Sequence, residues 1–311
     1  MDALSPNKSI DNLLQKLKGN KIDYKRYLGA PIRYGGGKSL AVGYIIERIP
    51  RNIKKIVSPF VGGGSVEFAL NECGINVICY DIFDKLINFF NVLKNEKVKL
   101  IKTLKTFNAS KQTFNNIRKE LWDDYKQTKF IKNNIELASK YFYNHNLSYG
   151  PSYLGWPSSN YLNNNKKYQK MIDKLSKYDL ERMIFKCEPF ENVLPKHVKD
   201  FMYLDPPYFL GGTSKMFAGI YPMRNSPHHH KDFDHKLLSN LLRQHAGGFL
   251  LSYNDCKEIR DLYKGFEIVE LHWQYTMGQG ETRIGKNRAK RNYDNTNTKQ
   301  SHEILIIGGK R

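Results

Sequence analysis

The sequence predicts an α/β protein with a doubly wound, Rossmann-like sheet and an inserted, mainly helical lobe. Three observations predict this fold. Short β-branched apolar runs alternate with amphipathic segments near both ends of the chain. A turn of three glycines joins the first such run to the first amphipathic segment. A segment rich in Asn, Lys and Tyr separates the two alternating parts.

The alternation begins with a strand, KKIVSPFV, at 54–61, which leads into the glycines 62–64. The next segment, SVEFALNECG at 65–74, has apolar residues at helical spacing and a glycine stop. The run INVICYD at 75–81 is a second strand that ends in an acid, and DKLINFFNVLKNE at 84–96 is a second helix. Strand, glycine turn, helix, strand and acid together are typical of the opening of a doubly wound sheet.

The alternation resumes after residues 97–182, which we interpret as the separate lobe. We expect strands RMIFKCEPF (182–190), DFMYLD (200–205), GGFLLSYN (247–254), FEIVELHW (266–273) and HEILIIGG (302–309), with helices HKLLSNLLRQH (235–245) and DCKEIRDLY (255–263). Residues 21–96 and 183–311 would then form one domain around the lobe. A polar, basic segment at 276–300 is predicted to be flexible.

The composition favours a polyanionic partner. The 311-residue chain carries a formal net charge of +20, although a biased base composition of the gene could also explain its many lysines. No apolar run approaches the ~18–20 residues of a membrane helix, and no signal peptide is evident. The four cysteines are dispersed without a CxxC pair, which favours reduced thiols in the cytoplasm and argues against a disulfide framework or zinc. We expect no metal at the three histidines of 228–230, because consecutive side chains converge poorly on one ion.

The segment YLDPPYF at 203–209 carries the most specific chemical signal. Ligands of open α/β sheets bind beyond the carboxyl ends of the strands. Each proline there fixes its own φ and extends the residue before it, so Asp205-Pro206-Pro207-Tyr208 predicts a stiff turn. The Asp205 carboxylate and the Pro206 carbonyl would offer two acceptors to a planar NH₂ group, with Tyr208 as an aromatic face. The alternative, a rigid surface turn, explains the strand and the acid less well.

Two glycine-rich segments suit a nucleoside-containing ligand. FVGGGSV at 60–66 lets the backbone approach a ligand closely, and Asp81 lies where such folds place an acid on ribose hydroxyls. It is not a GxGxxG fingerprint, because Glu67 stands where the third glycine would fall. RYGGGKSL at 33–40 ends like a P-loop, but Ile32 replaces the required first glycine and the residues before it make a poor strand.

The order GGGK, PFVGGGSV, YDIF and DPPYF resembles the Dam-like, D12 class of adenine-N6 DNA methyltransferases over nearly the whole chain. The resemblance implies S-adenosylmethionine as cofactor, double-stranded DNA as substrate and a target-recognition region at 97–182. It implies cofactor contacts at Tyr34, Gly37, Lys38, Phe60, Gly62, Gly64, Ser65, Asp81, Glu188, Phe190 and Asp205, and a catalytic centre at Asp205, Pro206, Pro207 and Tyr208. A cognate restriction endonuclease would fit such an enzyme.

The chain departs from the family's pattern at three positions. Ser58 stands where the family usually has an acid before Pro-Phe-Val, so a carboxylate contact there is not expected. Pro189 replaces an acid before Phe190, which leaves backbone or Glu188 to contact the cofactor's adenine. Tyr34 replaces the family's common Trp and keeps an aromatic face.

The resemblance also implies a mechanism. The N6 lone pair of adenine is delocalised into the ring, and hydrogen bonds from N6–H₂ to Asp205 and Pro206 would aim it at the sulfonium methyl without a covalent enzyme intermediate. The adenine must leave the duplex first, which costs a few kcal/mol. Stacking on Tyr208 would return roughly 1–3 kcal/mol.

Two regions are candidates for DNA contact besides Lys38. The basic residues of the 276–300 segment could lie on phosphates, or form only a solvated loop; they are Arg283, Lys286, Arg288, Lys290 and Arg291. The aromatic stretch 141–161 is largely expected to pack on itself, and Ser148 and Tyr149 are its part predicted to lie nearest the DNA.

Three other functions stay open at the level of sequence. Pro-Pro-Tyr suits any planar amine, so cytosine N4, RNA adenine or a protein glutamine amide are alternatives; the charge and the order of motifs favour adenine in DNA. A nucleotide-hydrolysing P-loop protein is a second alternative. A DNA-binding homologue with an inactive site is the third, given Ser58 and Pro189.

Overall fold

A computed structural model describes residues 6–19, 24–150, 152–209, 233–271 and 303–309. Its strands form one seven-stranded sheet. The strands are β1 (Lys55–Ser58), β2 (Asn76–Asp81), β3 (Met183–Cys187), β4 (Met202–Leu204), β5 (Phe249–Asn254), β6 (Glu267–Leu271) and β7 (Glu303–Gly308). Their order in the sheet is β3-β2-β1-β4-β5-β7-β6.

The helices flank this sheet and fill the interval between β2 and β3. They are α1 (Pro6–Leu17), α2 (Val42–Ile46), α3 (Ser65–Glu72), α4 (Asp84–Asn95), α5 (Lys97–Lys105), α6 (Lys111–Tyr125), α7 (Asn134–Leu147), α8 (Asn165–Leu175), α9 (Phe190–Lys196), α10 (His235–Arg243) and α11 (Lys257–Leu262). Helix α1 was not predicted from the sequence; its apolar face packs into the core through Ile10, Leu13 and Leu14.

The sheet has the doubly wound topology that the sequence predicts. Strands β1 to β5 pair in parallel, and β7 is inserted antiparallel between β5 and β6. The chain steps outward from β1 to β3 and then returns to the other side of β1 as β4. This reversal is the switch point at which open α/β sheets bind ligands, beyond the carboxyl ends of β1 and β4.

The middle of the chain is helical, and one of its helices lies within the main core. Every residue of α7 from Leu137 to Leu147 is buried. Phe142 of α7 stacks on Phe89 of α4, with ring centroids 5.7 Å apart, and Tyr141 lies 5.9 Å from the same ring. A lobe bounded at residues 97 and 182 stays a prediction; α7 packs on α4 and also on α5 and α6, which belong to the same region.

The segment predicted as a strand at 182–190 is shorter than expected. Strand β3 ends at Cys187, and α9 begins at Phe190. Pro189 is extended, with φ −74° and ψ 151°, and forms the cap between them. A proline suits this position, because the first turn of a helix does not need its N–H. Among the described residues, no helix is long and apolar enough to cross a membrane.

The Phe89–Phe142 stack predicts where the fold is sensitive. Replacing fully buried Phe89 by Ala should lower the free energy of unfolding by about 3–5 kcal/mol, because it leaves a cavity between α4 and α7. Phe130→Ala is the matched control, since that ring is 61% exposed and should change stability by less than about 0.5 kcal/mol. Urea denaturation followed by circular dichroism measures both. Equal effects of the two variants would contradict this account of the core.

Candidate active site

A cavity of about 250 Å³ lies at the switch point of the sheet. Five segments meet there: the loop before α2, the glycine turn after β1, and the carboxyl ends of β2, β3 and β4. Helix α7 closes a further side with Tyr141 and His145. The eleven residues predicted to contact the cofactor therefore come together from distant parts of the chain, although their roles stay predictions.

The glycine turn fixes Asp81 at the end of β2. Gly62 and Gly64 have φ values of +46° and +72°, which side chains other than glycine adopt rarely. The N–H of Gly62 donates to Oδ2 of Asp81 at 3.0 Å, and the N–H of Phe83 donates to Oδ1 at 2.9 Å. Burial raises the pKa of Asp81, while these backbone hydrogen bonds favour its charged form. The carboxylate is thus oriented before any ligand binds.

Tyr34 lies directly on this turn. A Cβ atom at Gly63 would come within 2.4 Å of the Tyr34 Cβ, and one at Gly62 within 3.2 Å of its ring. The Tyr34 ring also stacks on His145, with centroids 5.6 Å apart. The N–H of Gly37 donates to the Tyr34 carbonyl at 3.3 Å. The described part of the chain before Gly35 contains no strand, so RYGGGKSL is a close-packed lining segment and not a P-loop.

Lys38 and Asp205 form an ion pair at the centre of the site. The Lys38 Nζ lies 2.8 Å from Oδ1 of Asp205 and 3.9 Å from Oε2 of Glu303, and it donates to the Gly36 carbonyl at 3.2 Å. Burial lowers the pKa of Lys38, but the carboxylates of Asp205 and Glu303 outweigh it and raise that pKa. Burial raises the pKa of Asp205, and Lys38 opposes that rise. Glu303, at the start of β7, was not predicted as a site residue.

The rest of the DPPY segment divides between the cavity and the core. Pro207 lines the cavity with Asp205, whereas the side chain of Pro206 is buried. Tyr208 is 7% exposed and packs on Tyr253, with ring centroids 6.0 Å apart. The ammonium of Lys38 lies 4.7 Å from the centroid of the Tyr208 ring. The predicted stacking face of Tyr208 therefore lies beneath Lys38 in this structure.

Three aromatic rings form one wall of the cavity. Phe60 lies 5.6 Å from Phe190 and 5.7 Å from Phe233, and the last two are 5.0 Å apart, measured between centroids. Glu188 lies at the rim, where its ion pair with Lys196 lowers the pKa of the carboxyl. This wall suits the face of a flat heterocycle. Phe190 was predicted to lie next to the cofactor's adenine and Phe60 next to its methionine part, and both roles stay predictions; Phe233 was not predicted.

Glu67 is a further acidic residue of the site that was not predicted from the sequence. It lies in the first turn of α3, two residues after Ser65, and is 2% exposed. The Ser58 hydroxyl donates to its Oε1 at 2.6 Å. Burial raises the pKa of Glu67 to about 8, because the Ser58 hydrogen bond offsets only part of the desolvation. A carboxyl group does reach this part of the site, although Ser58 itself carries none.

The other missed residues belong to α7. Tyr141 and His145 are one helical turn apart, so both face the cavity. Burial lowers the pKa of His145 to about 3, which keeps the imidazole neutral. Ser148, predicted to lie near the DNA, is fully buried, and its hydroxyl donates to the His145 carbonyl at 2.9 Å. Its side chain therefore does not reach the surface, whereas that of Tyr149 is 54% exposed.

Some predicted residues lie outside the described residues. These are the histidines 228–230 and the basic residues Arg283, Lys286, Arg288, Lys290 and Arg291. Within the described ranges, no cluster of three His, Cys, Asp or Glu side chains could hold a metal ion.

The family model for the D12 class N6 adenine-specific DNA methyltransferases matches residues 34–277. That range includes the glycine turn, Asp81 and the DPPY segment. The chain belongs to this family. Its substrate is DNA, and its reaction is the transfer of a methyl group to the N6 amine of adenine at a specific site.

Three curated Type II methyltransferases are similar to this adenine methyltransferase. M.MjaIII of Methanocaldococcus jannaschii is 27% identical over 57% of the chain and 68% of its own length. M1.LlaDCHI of Lactococcus lactis subsp. cremoris is 24% identical over 88% of the chain and 96% of its own length. M.CviBI of Paramecium bursaria Chlorella virus NC1A is 20% identical over 82% of the chain and 94% of its own length.

The raised pKa of Glu67 predicts that the ligand-free methyltransferase becomes less stable to unfolding as the pH rises. When folding raises the pKa of a carboxyl, its contribution to stability is complete at a pH below the pKa of the unfolded chain. This contribution is lost as the pH rises toward the folded pKa, which is about 8 for Glu67. Glu67→Gln should therefore be more stable than the wild type near pH 8 by at least about 1 kcal/mol, with a smaller difference near pH 5. Urea denaturation at both pH values measures this. A stability difference that does not change with pH would contradict a buried, protonated Glu67.

Proposed function

We propose that the cavity binds S-adenosylmethionine as methyl donor and that Asp205 receives the N6 amine of a flipped-out adenine beside it. The observation that carries this proposal is the placement of Asp205. It lies at the end of β4 in the same cavity as the glycine turn and Asp81, so a nucleoside ligand and a target amine would share one space. Family membership makes a methyl donor necessary.

The residues around the cavity fit S-adenosylmethionine part by part. The Asp81 carboxylate, held by two backbone N–H groups, suits the ribose hydroxyls. The rings of Phe60, Phe190 and Phe233 suit the faces of the donor's adenine. The backbone of the glycine turn and Tyr34 would lie along the methionine part. When bound, the donor supplies an electrophilic methyl group on a sulfonium.

Asp205 acts by accepting a hydrogen bond from the target amine. Its partner in this structure is the Lys38 ammonium, a cationic nitrogen donor 2.8 Å from Oδ1. An incoming N6–H₂ group would take a place beside this carboxylate. A hydrogen bond to Asp205 and one to the Pro206 carbonyl draw the nitrogen toward tetrahedral geometry and free its lone pair for the methyl group. Such preorganised acceptors stabilise the charge that develops on the nitrogen.

Tyr208 would receive the ring of the flipped adenine. The Lys38 ammonium now lies 4.7 Å from the Tyr208 centroid, so the ammonium must move aside for a base to stack there. Stacking on an aromatic side chain returns roughly 1–3 kcal/mol of the cost of unstacking the base. Lys38 thereby covers the aromatic face until the base arrives.

Replacement of Asp205 tests this assignment. Asp205→Asn removes the charge and one acceptor and should lower methyl transfer by about 10²–10³-fold, as loss of one preorganised hydrogen bond does elsewhere. Transfer of labelled methyl groups to DNA measures turnover, and a gel-shift assay should show DNA affinity within about threefold of wild type. Asp11→Asn is the control, because Asp11 is an exposed residue of α1 that does not line the cavity. Near-wild-type turnover by Asp205→Asn would contradict the proposal.

We further propose that residues 276–300 contact DNA phosphates and that Tyr149 lies at the DNA surface. The support for the segment is its charge, with Arg283, Lys286, Arg288, Lys290 and Arg291 in a short stretch. The support for Tyr149 is its exposure beside a loop whose Ser152 and Tyr153 line the cavity. The relatives' Type II designation supports a cognate restriction endonuclease as a partner, and the dispersed cysteines support a cytoplasmic location.

Neutralising the basic segment should weaken the salt dependence of DNA binding. Each lost phosphate contact reduces the slope of log K against log salt by about 0.9. A variant with these five residues changed to Gln should therefore show a slope smaller by about 2 or more units, as measured by fluorescence anisotropy over a salt series. The charge-matched control changes five exposed lysines outside the predicted target-recognition region, namely Lys16, Lys25, Lys54, Lys199 and Lys264. An equal slope for both variants would contradict a specific role for the segment.

A further inference from the structure

The charges around the cavity are unbalanced toward acid. Six acidic residues line it, whereas Lys38 is the single lysine or arginine among the described lining residues. The acidic residues are Glu67, Asp81, Glu188, Glu191, Asp205 and Asp234. Lys38 is already paired with Asp205. Glu188 is paired with Lys196, and Glu191 and Asp234 are exposed, so the excess of acid inside the cavity comes from Glu67 and Asp81. A cationic ligand suits this part of the cavity, because buried carboxylates are costly without a positive partner.

Glu67 is the buried carboxyl that most needs such a partner. Within the described part of the chain, no Lys, Arg or His nitrogen lies within 4.0 Å of its oxygens. The Ser58 hydroxyl, at 2.6 Å from Oε1, holds the side chain in position but brings no charge. Asp81 differs, since two backbone N–H groups already align it. Glu67 is thus positioned by the fold and left for a cation from outside the chain.

We propose that Glu67, oriented by Ser58, binds the α-ammonium of the methyl donor. This rests on the proposed function, since it assumes that the donor carries a methionine part. The sulfonium is the donor's other cation, but it has no N–H to donate, whereas an ammonium donates three hydrogen bonds. Glu67 stands in the first turn of α3, directly after the glycine turn that would carry the methionine part.

The inference also accounts for an unusual pair of residues. Ser58 occupies the position at which the family usually has an acid. Here the carboxylate comes instead from Glu67, nine positions later, and the two side chains are joined by a hydrogen bond. The acidic group thus enters the cavity from the first turn of α3 and not from the end of β1. Sequence alone suggested that this contact was missing.

Proton exchange follows from the surroundings of Glu67. Its carboxyl is protonated at neutral pH in the free protein, and Asp205, Asp81, Tyr203 and Cys79 interact with it alongside Lys38. An ammonium pairs with the carboxylate form, so the carboxyl proton passes to solvent when the ligand binds. Affinity should therefore rise with pH between about pH 6 and 7.5, where the ligand's ammonium stays mostly protonated. The part of this rise that Glu67 causes should vanish in Glu67→Gln.

The experiment compares two nucleosides by isothermal titration calorimetry on the full chain. S-adenosylhomocysteine carries the α-ammonium, and 5′-methylthioadenosine lacks the whole amino-acid part. Glu67→Gln should weaken the binding of S-adenosylhomocysteine by at least about tenfold and leave the affinity for 5′-methylthioadenosine within about twofold of the wild type. Ser58→Ala should weaken S-adenosylhomocysteine by about two- to fivefold, because Glu67 loses its orienting hydrogen bond. Glu191→Gln is the matched control that lowers the cavity's charge without touching Glu67.

Each outcome decides the inference. The inference is supported if Glu67→Gln loses affinity for S-adenosylhomocysteine selectively and no longer releases a proton when that nucleoside binds. Retained binding of 5′-methylthioadenosine shows that the variant is folded. Equal loss of both nucleosides, or an equal effect of Glu191→Gln, overturns it. A wild-type protein that binds neither nucleoside would overturn the proposed donor as well. Binding of both by the wild type with no change in Glu67→Gln would leave the donor standing and overturn only the role of Glu67.

Discussion

The ion pair between Lys38 and Asp205 is the interaction on which the rest of the site depends. Both groups are largely removed from water, and such charges are tolerated only when they are paired closely. The pair joins the loop before α2 to the end of β4, and Glu303 ties it to the start of β7. Three segments that are distant in the sequence are thereby held at one point of the sheet, beside the cavity.

The second constraint is steric and concerns the glycine turn. A Cβ atom at Gly63 would come within 2.4 Å of the Tyr34 Cβ. The loop that carries Tyr34 and Lys38 can therefore pack on this turn only because Gly63 has no side chain. The same turn gives its Gly62 N–H to Asp81. The ion pair and the turn therefore fix the same loop from two sides. A target amine and a methyl donor can then be placed next to each other by a rigid frame.

Sequence alone predicted the architecture, and twelve of the residues that line the cavity were named from it. The strand–glycine–helix pattern and the position of DPPY depend on local periodicity and on rules for open sheets, and both identified the carboxyl edge correctly. Glu67 escaped because it was considered only as the residue that breaks a glycine fingerprint. Its role depends on a hydrogen bond to Ser58 across the strand-to-helix turn, which no local pattern shows.

The helix α7 shows a second limit of local reasoning. Its stretch is polar and aromatic in sequence, yet tertiary packing buries all of its residues from Leu137 to Leu147. Ser148 was predicted to lie near the DNA, but its hydroxyl donates to the His145 carbonyl inside the fold. Buried polar residues cannot be told from surface ones by composition, because their partners come from elsewhere in the fold.

The most direct test of the central claim is a methylation map. The protein would be expressed in a host without adenine methylation, and N6-methyladenine would then be located along the host's DNA. The account predicts methylation of adenine within one recurring sequence context, absent from cells that express Asp205→Asn. No new N6-methyladenine from the well-expressed wild-type protein, or a mark on cytosine alone, would contradict it.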